Sequence, residues 1–146
     1  MDTLTPHQRH KNMVSIKSKD TKPEILVRKY LWRLGFRYRL NSSRLPGHPD
    51  IVLRKYRTCI FINGCFWHGH EGCKYYVIPK TNTQFWTDKI DGNKQRDTDT
   101  QKELAIMGWH CITIWECQLK KDRDITLESL SYTLNHIYLE DRSLNR

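Results

Sequence analysis

Residues 64–73 read GCFWHGHEGC and hold two cysteines, two histidines, a glutamate and a Phe-Trp pair. Cys65, His70 and Cys73 stand at C-x4-H-x2-C spacing, three soft or borderline metal ligands within nine residues. A structural Zn²⁺ site takes four such ligands, at about 2.0–2.3 Å from the metal. The fourth must therefore come from a remote segment, and that requirement restricts the folds open to the chain. Cys117, at the end of the apolar stretch HCITIWEC, is the best candidate, because a side chain at a strand terminus can reach a loop packed on the sheet edge. Cys59 and Cys111 lie inside apolar runs and read as core residues. The N-terminus has no apolar signal segment and no run of 18 apolar residues occurs, so no membrane span is expected and the chain reads as cytosolic. In that compartment five cysteines, an odd number, favour metal or core roles over disulfides. With all four positions filled, the zinc would clamp the loop and leave no open coordination for catalysis.

The remaining pattern predicts an α/β domain. TKPEILVRKYLWRLG reads as a helix, with Thr21 and Glu24 as a capping box, Pro23 in the first turn and Gly35 as the stop. Ile25, Leu26, Leu31 and Leu34 are its expected apolar face. FRYRL alternates as a strand, LPGHPD turns, and DIVLRKY and RTCIFIN read as the two strands of a hairpin. FWTDKIDGNKQRDTDTQKELAIMGW reads as a polar connection followed by a helix ending at Gly108. HCITIWEC is a buried strand, and TLESLSYTLNHIYLE is a closing helix capped by Thr126. The expected fold is a mixed sheet flanked by helices, one domain over residues 1–146, with residues 1–19 as an arm or short helix.

Charge bears on partners. The net charge is +9, and residues 1–40 carry ten Lys/Arg against three Asp/Glu. A basic first third suggests a polyanion partner, although a solvated basic surface gives the same numbers.

Phosphodiester hydrolysis needs a carboxylate to hold a hard cation and a group to move protons. Asp50 stands at the start of one hairpin strand, and the next strand ends at Ile62-Asn63. Side by side, Asp50 and a backbone carbonyl there could bind Mg²⁺; alone, Asp50 reads first as a turn aspartate. His68 is not needed by the zinc set and could act as general acid or base, or be a surface histidine. Glu24 could position a water, but its capping-box place already explains it. Asp97 is one acid among several in a polar run. Phe66, Trp67 and Trp86 either cover the core or act as wedges that enter a base stack, where unstacking costs a few kcal/mol and least at a mismatch.

Four stretches, SKDTKPE, LPGHPDIV, CIFINGCFWHGHEGC and WHCITIWEC, together with FW and KIDGNKQRD over 85–97, carry a family resemblance. Over roughly residues 8–120 the chain resembles the very-short-patch-repair (Vsr) endonucleases. The resemblance implies a restriction-endonuclease-like fold and Mg²⁺-dependent nicking of double-stranded DNA, 5′ to the thymine of a T:G mismatch left by 5-methylcytosine deamination. A single asymmetric lesion as substrate suggests a monomer, with a cytosine-5 methyltransferase system and mismatch-repair proteins as expected functional partners. The resemblance makes Asp50 and the Ile62 carbonyl the Mg²⁺ ligands, His68 the catalytic histidine, and Glu24 and Asp97 acids that organise water. Cys65, His70, Cys73 and Cys117 become the structural Zn²⁺ ligands, and Phe66, Trp67 and Trp86 the intercalating rings. Asn63 stands where the best-known members have histidine, and an amide can orient a water or phosphate but cannot titrate. The zinc loop also carries an inserted glycine. Two other readings compete: a defence nuclease of the same fold that cuts paired DNA, and a zinc-stabilised DNA-binding module without catalysis.

Overall fold

A computed structural model describes residues 20–144. The expected N-terminal arm, residues 1–19, lies outside the described residues. The elements are α1 (Lys22–Arg33), β1 (Arg39–Leu40), β2 (Ile51–Leu53), a 3-10 turn (Arg54–Tyr56), β3 (Thr58–Asn63), α2 (Thr83–Ile106), β4 (His110–Trp115), α3 (Glu116–Lys121) and α4 (Arg123–Leu144).

The start of α1 follows the capping rule. Thr21 Oγ1 accepts from the Glu24 N–H and Glu24 Oε2 accepts from the Thr21 N–H, each at 3.4 Å. Gly35, at φ +94°, lets the chain leave the helix, and the Phe36 N–H returns to the Leu31 carbonyl at 3.0 Å. That return explains why the FRYRL strand shrinks to Arg39–Leu40: Phe36 is drawn into the core before pairing begins. The apolar face of α1 also differs from expectation. Val27 and Leu31 are buried, whereas Ile25 and Leu34 are exposed.

The sheet order is β1-β2-β3-β4, antiparallel except for the parallel β3/β4 pair. Register pairs Ile51 with Ile60 and Ile60 with Ile112, and pairs Val52 with Cys59 and Cys59 with Cys111. Alternation along each strand then separates two faces. Ile51, Leu53, Ile60 and Ile114 pack with Val27 and Leu31 of α1 and with Leu127, Leu130 and Leu134 of α4. Val52 and Cys59 pack with Leu104 of α2 on the other face, joined by the partly buried Phe61 and Cys111. The architecture is a four-stranded mixed sheet flanked by helices. Each fully buried Leu or Ile contributes about 1.5–3 kcal/mol to it.

Three expectations are corrected on the C-terminal side. The polar run after Trp86 is not a connection, because α2 is continuous from Thr83 to Ile106. Only Ile90 and Leu104 of α2 are buried, and pairs such as Gln84–Asp88 and Gln95–Asp99 lace its wet faces. β4 is a sheet edge, so only Ile114 of it is buried. Thr126 does not cap α4: the helix begins at Arg123, the Thr126 N–H bonds to the Asp122 carbonyl, and its hydroxyl donates to Gln118 O.

The topology gathers one end of the sheet. β2 runs antiparallel to β3 and β4 runs parallel to it. The start of β2, the end of β3 and the end of β4 therefore lie at that same end, and the loop that follows β3 begins there too.

Candidate active site and metal knot

Asp50 immediately precedes β2, and its Oδ2 accepts the Ile62 N–H at 2.7 Å. In an extended strand the N–H and C=O of one residue point to the same side. The Ile62 carbonyl therefore faces the Asp50 side as well. Glu24, only 3% exposed, comes in from the first turn of α1, and its carboxyl lies beside that of Asp50 in the same cleft. Burial first, then the neighbouring Glu24 carboxyl, push Asp50 from 3.8 up to about 6, against the lowering effect of the Ile62 N–H and of His68. Two crowded carboxyls beside a strand-end carbonyl are a hard-oxygen donor set of the kind Mg²⁺ takes. On that chemistry the residues present fit the cation.

His68 Nδ1 lies 2.7 Å from Asp97 Oδ2, with both side chains about one-third exposed. An ionised carboxylate can only accept, so this contact places the proton on Nδ1 and leaves Nε2 free. Asn63, at the end of β3, is 7% exposed. A cleft of about 300 Å³ joins them: Glu24, Asp50, Ile62, Asn63, His68 and Asp97 all line it.

Sequence reasoning missed four contributors. His48, Thr100 and Gln101 also line the cleft. Arg28 pairs with Glu24 Oε2 at 3.2 Å and with Asp20 Oδ1 at 2.8 Å, clamping the buried acid. Its i,i+4 spacing from Glu24 was a usable signal. His48, Thr100 and Gln101 carry no comparable local signal, because only the tertiary fold brings the turn and α2 to the cleft.

The zinc ligand set converges. The donor atoms of Cys65, His70, Cys73 and Cys117 lie within 4.8 Å of one another, three sulfurs and one imidazole nitrogen. That donor set and spacing fit a tetrahedral zinc. Cys117 sits in the first turn of α3, two residues past the end of β4. Its Sγ is 3.4 Å from His70 Nδ1, and its N–H donates to Cys65 Sγ at 3.4 Å. Backbone N–H groups of Tyr75 and Tyr76 lower Cys73, whereas burial pushes Cys65 up to about 12 as a thiol. Trp115 stacks on the His70 ring at 4.1 Å and 3°, fixing its plane. Cys59 and Cys111 stay apart from this set, facing each other across β3 and β4.

The loop also aims rings. Gly69, at φ +59°, packs so close to α2 that a Cβ there would lie 2.6 Å from Lys94 Cδ. Asn93 Nδ2 donates to the Trp67 carbonyl at 2.8 Å, and Lys94 pairs with Glu71. Against this anchored loop, Phe66, Trp67 and Trp86 form a triangle of edge-packed rings with centroids 5.3, 5.5 and 5.9 Å apart. All three are half-buried.

The profile described as DNA mismatch endonuclease Vsr matches residues 1–74. The type II nicking enzyme V.NmeAIP of Neisseria meningitidis serogroup A is 48% identical over 136 residues, covering 93% of this chain and 96% of that protein. The type II nicking enzyme V.XorIIP of Xanthomonas oryzae pv. oryzae is 42% identical over 118 residues, covering 81% and 86%. DNA mismatch endonuclease Vsr of Escherichia coli K12 is 39% identical over 126 residues, covering 86% and 80%. These similarities make the chain a DNA endonuclease. More narrowly, it belongs to the DNA mismatch endonuclease Vsr family.

Proposed function

We propose that the protein nicks one strand of double-stranded DNA 5′ to the thymine of a T:G mismatch, in a Mg²⁺-dependent step. The observation that carries the chemistry is the single cleft shared by Asp50, Glu24, Ile62, His68 and Asp97. Asp50 and the Ile62 carbonyl would hold Mg²⁺, which when bound supplies Lewis acidity at the scissile phosphate. Asp97 holds the His68 ring so that Nε2 can exchange a proton with a phosphate-side oxygen. Glu24, held by Arg28, orients water, and Asn63 offers an amide to water or phosphate without titrating.

Zn²⁺ held by Cys65, His70, Cys73 and Cys117 plays a structural part, tying the ring-bearing loop to the end of β4. Phe66, Trp67 and Trp86 would enter the base stack, where a mispaired step opens at lower cost than a paired one. The basic N-terminal segment supplies salt-dependent affinity for the backbone. The same reading includes a restriction-endonuclease-like fold, one domain over residues 1–146 and a cytoplasmic monomer working with a cytosine-5 methyltransferase system. Among the described residues no helix is long and apolar enough to cross a membrane.

The test is a strand-resolved nicking assay on T:G and T:A duplexes, with and without Mg²⁺. The expected result is a cut of the thymine strand in the T:G duplex only, dependent on the cation. Equal cutting of both duplexes would reject mismatch selection and favour a nuclease acting on paired DNA.

A further inference from the structure

Phe66, Trp67 and Trp86 cover one another in the free protein, yet one neighbouring ring is left uncovered. Phe85 is 58% exposed. Its ring meets that of Trp86 in a T-shaped pair at 5.1 Å and 77°, and among the described residues it packs on no other aromatic ring. It stands in the first turn of α2, which carries no acidic residue. The positive end of the helix dipole is therefore not neutralised by its own first turn. The adjacent polar side chains are already engaged: Gln84 Nε2 donates to Asp88 at 2.7 Å, and Thr83 Oγ1 donates to the Pro79 and Lys80 carbonyls. A phenyl ring this exposed, beside a positive helix end, suits a nucleobase flanked by phosphates better than it suits water.

We propose that Phe85 is a fourth DNA-stacking residue, which takes the face of the nucleobase flanking the step opened by the other three rings. Its exposure and its position outside the Phe66–Trp67–Trp86 triangle would extend the wedge across a second base step. It would thereby add the stacking state of the flanking pair to what the enzyme selects. This assignment rests on the reading of that triangle as a wedge.

The experiment compares Phe85→Leu, Phe85→Tyr and Trp86→Ala in the full-length, zinc-loaded protein. Binding and single-turnover nicking are measured at sub-saturating enzyme on T:G and T:A duplexes with 2-aminopurine in the flanking position. Leucine keeps apolar packing against Trp86 but has no ring face; tyrosine keeps the ring. The ratio of T:G to T:A binding is expected to fall about tenfold in Phe85→Leu, within the range of one aromatic–base stack. The 2-aminopurine signal should change with it, and Phe85→Tyr should restore both to within about twofold. A Phe85→Leu protein that matches wild type, or a Phe85→Tyr protein as impaired as Phe85→Leu, overturns the assignment. If Trp86→Ala loses discrimination while Phe85→Leu does not, only the Phe85 assignment fails. If Trp86→Ala is also without effect, the wedge reading fails with it. Phe85 is exposed, so melting temperatures equal to wild type are expected for both substitutions.

Discussion

Asp50→Asn should make the magnesium-free protein more stable at neutral pH while abolishing nicking. Burial and the Glu24 carboxyl push Asp50 from 3.8 up to about 6. An acid raised in the folded state contributes stability at low pH and loses it as pH rises through its folded value. At about 1.4 kcal/mol per tenfold, the ionised carboxylate costs the fold about 3 kcal/mol at pH 8. About half of that cost is present at pH 5 and little of it below pH 4. Asparagine keeps an oxygen to accept from the Ile62 N–H and offers its NH₂ to Glu24, so the local network survives. For a chain of this size the gap corresponds to a rise in melting temperature of about 6–12 °C at pH 8. Thermal unfolding followed by circular dichroism, in magnesium-free buffer without chelator so that zinc is retained, reads it directly. Added Mg²⁺ should narrow the gap by stabilising wild type alone. A gap of equal size at pH 5 and pH 8, or an Asn variant less stable at pH 8, would refute the reasoning.

Other outcomes follow from the same geometry. Asp97→Ala removes the acceptor that holds His68 and should lower single-turnover nicking of a T:G duplex about 10²–10⁴-fold with little change in melting temperature. Cys117→Ser removes the one remote member of the Cys65–His70–Cys73–Cys117 cluster, so metal analysis should show well under one zinc per chain, with unfolding stability lowered by several kcal/mol of lost metal-coupled folding energy. Gly69→Ala forces a Cβ against Lys94 and Ile90 at a positive φ and should cost about 1–3 kcal/mol in denaturant unfolding.

Features encoded locally, or by hairpin adjacency, were legible in the sequence. The Thr21–Glu24 capping box needs only two side chains three residues apart. Asp50 meets Ile62 because one hairpin puts the start of its first strand beside the end of its second. Cys65, His70 and Cys73 announce themselves by spacing, and the parallel β3/β4 pair delivers Cys117 to them. Long-range pairings were not legible. His68 chooses Asp97 across 29 residues, and nothing near Asp97 distinguishes it from its acidic neighbours. The full length of α2 was hidden because a helix with only Ile90 and Leu104 buried shows no apolar stripe. Ile25 and Leu34 misled because apolar character alone does not say which face of α1 meets the sheet; Leu31 is buried as expected, and the unexpected Val27 is buried with it.

The most direct measurement is anomalous diffraction from the protein crystallised with a T:G duplex and Mn²⁺ in place of Mg²⁺. Two distinct peaks are expected: a zinc-edge peak among Cys65, His70, Cys73 and Cys117, and a manganese-edge peak between the Asp50 carboxylate and the Ile62 carbonyl, in contact with the phosphate 5′ to the thymine. A manganese peak away from Asp50, or a scissile phosphate out of reach of the cleft that holds His68, would contradict it.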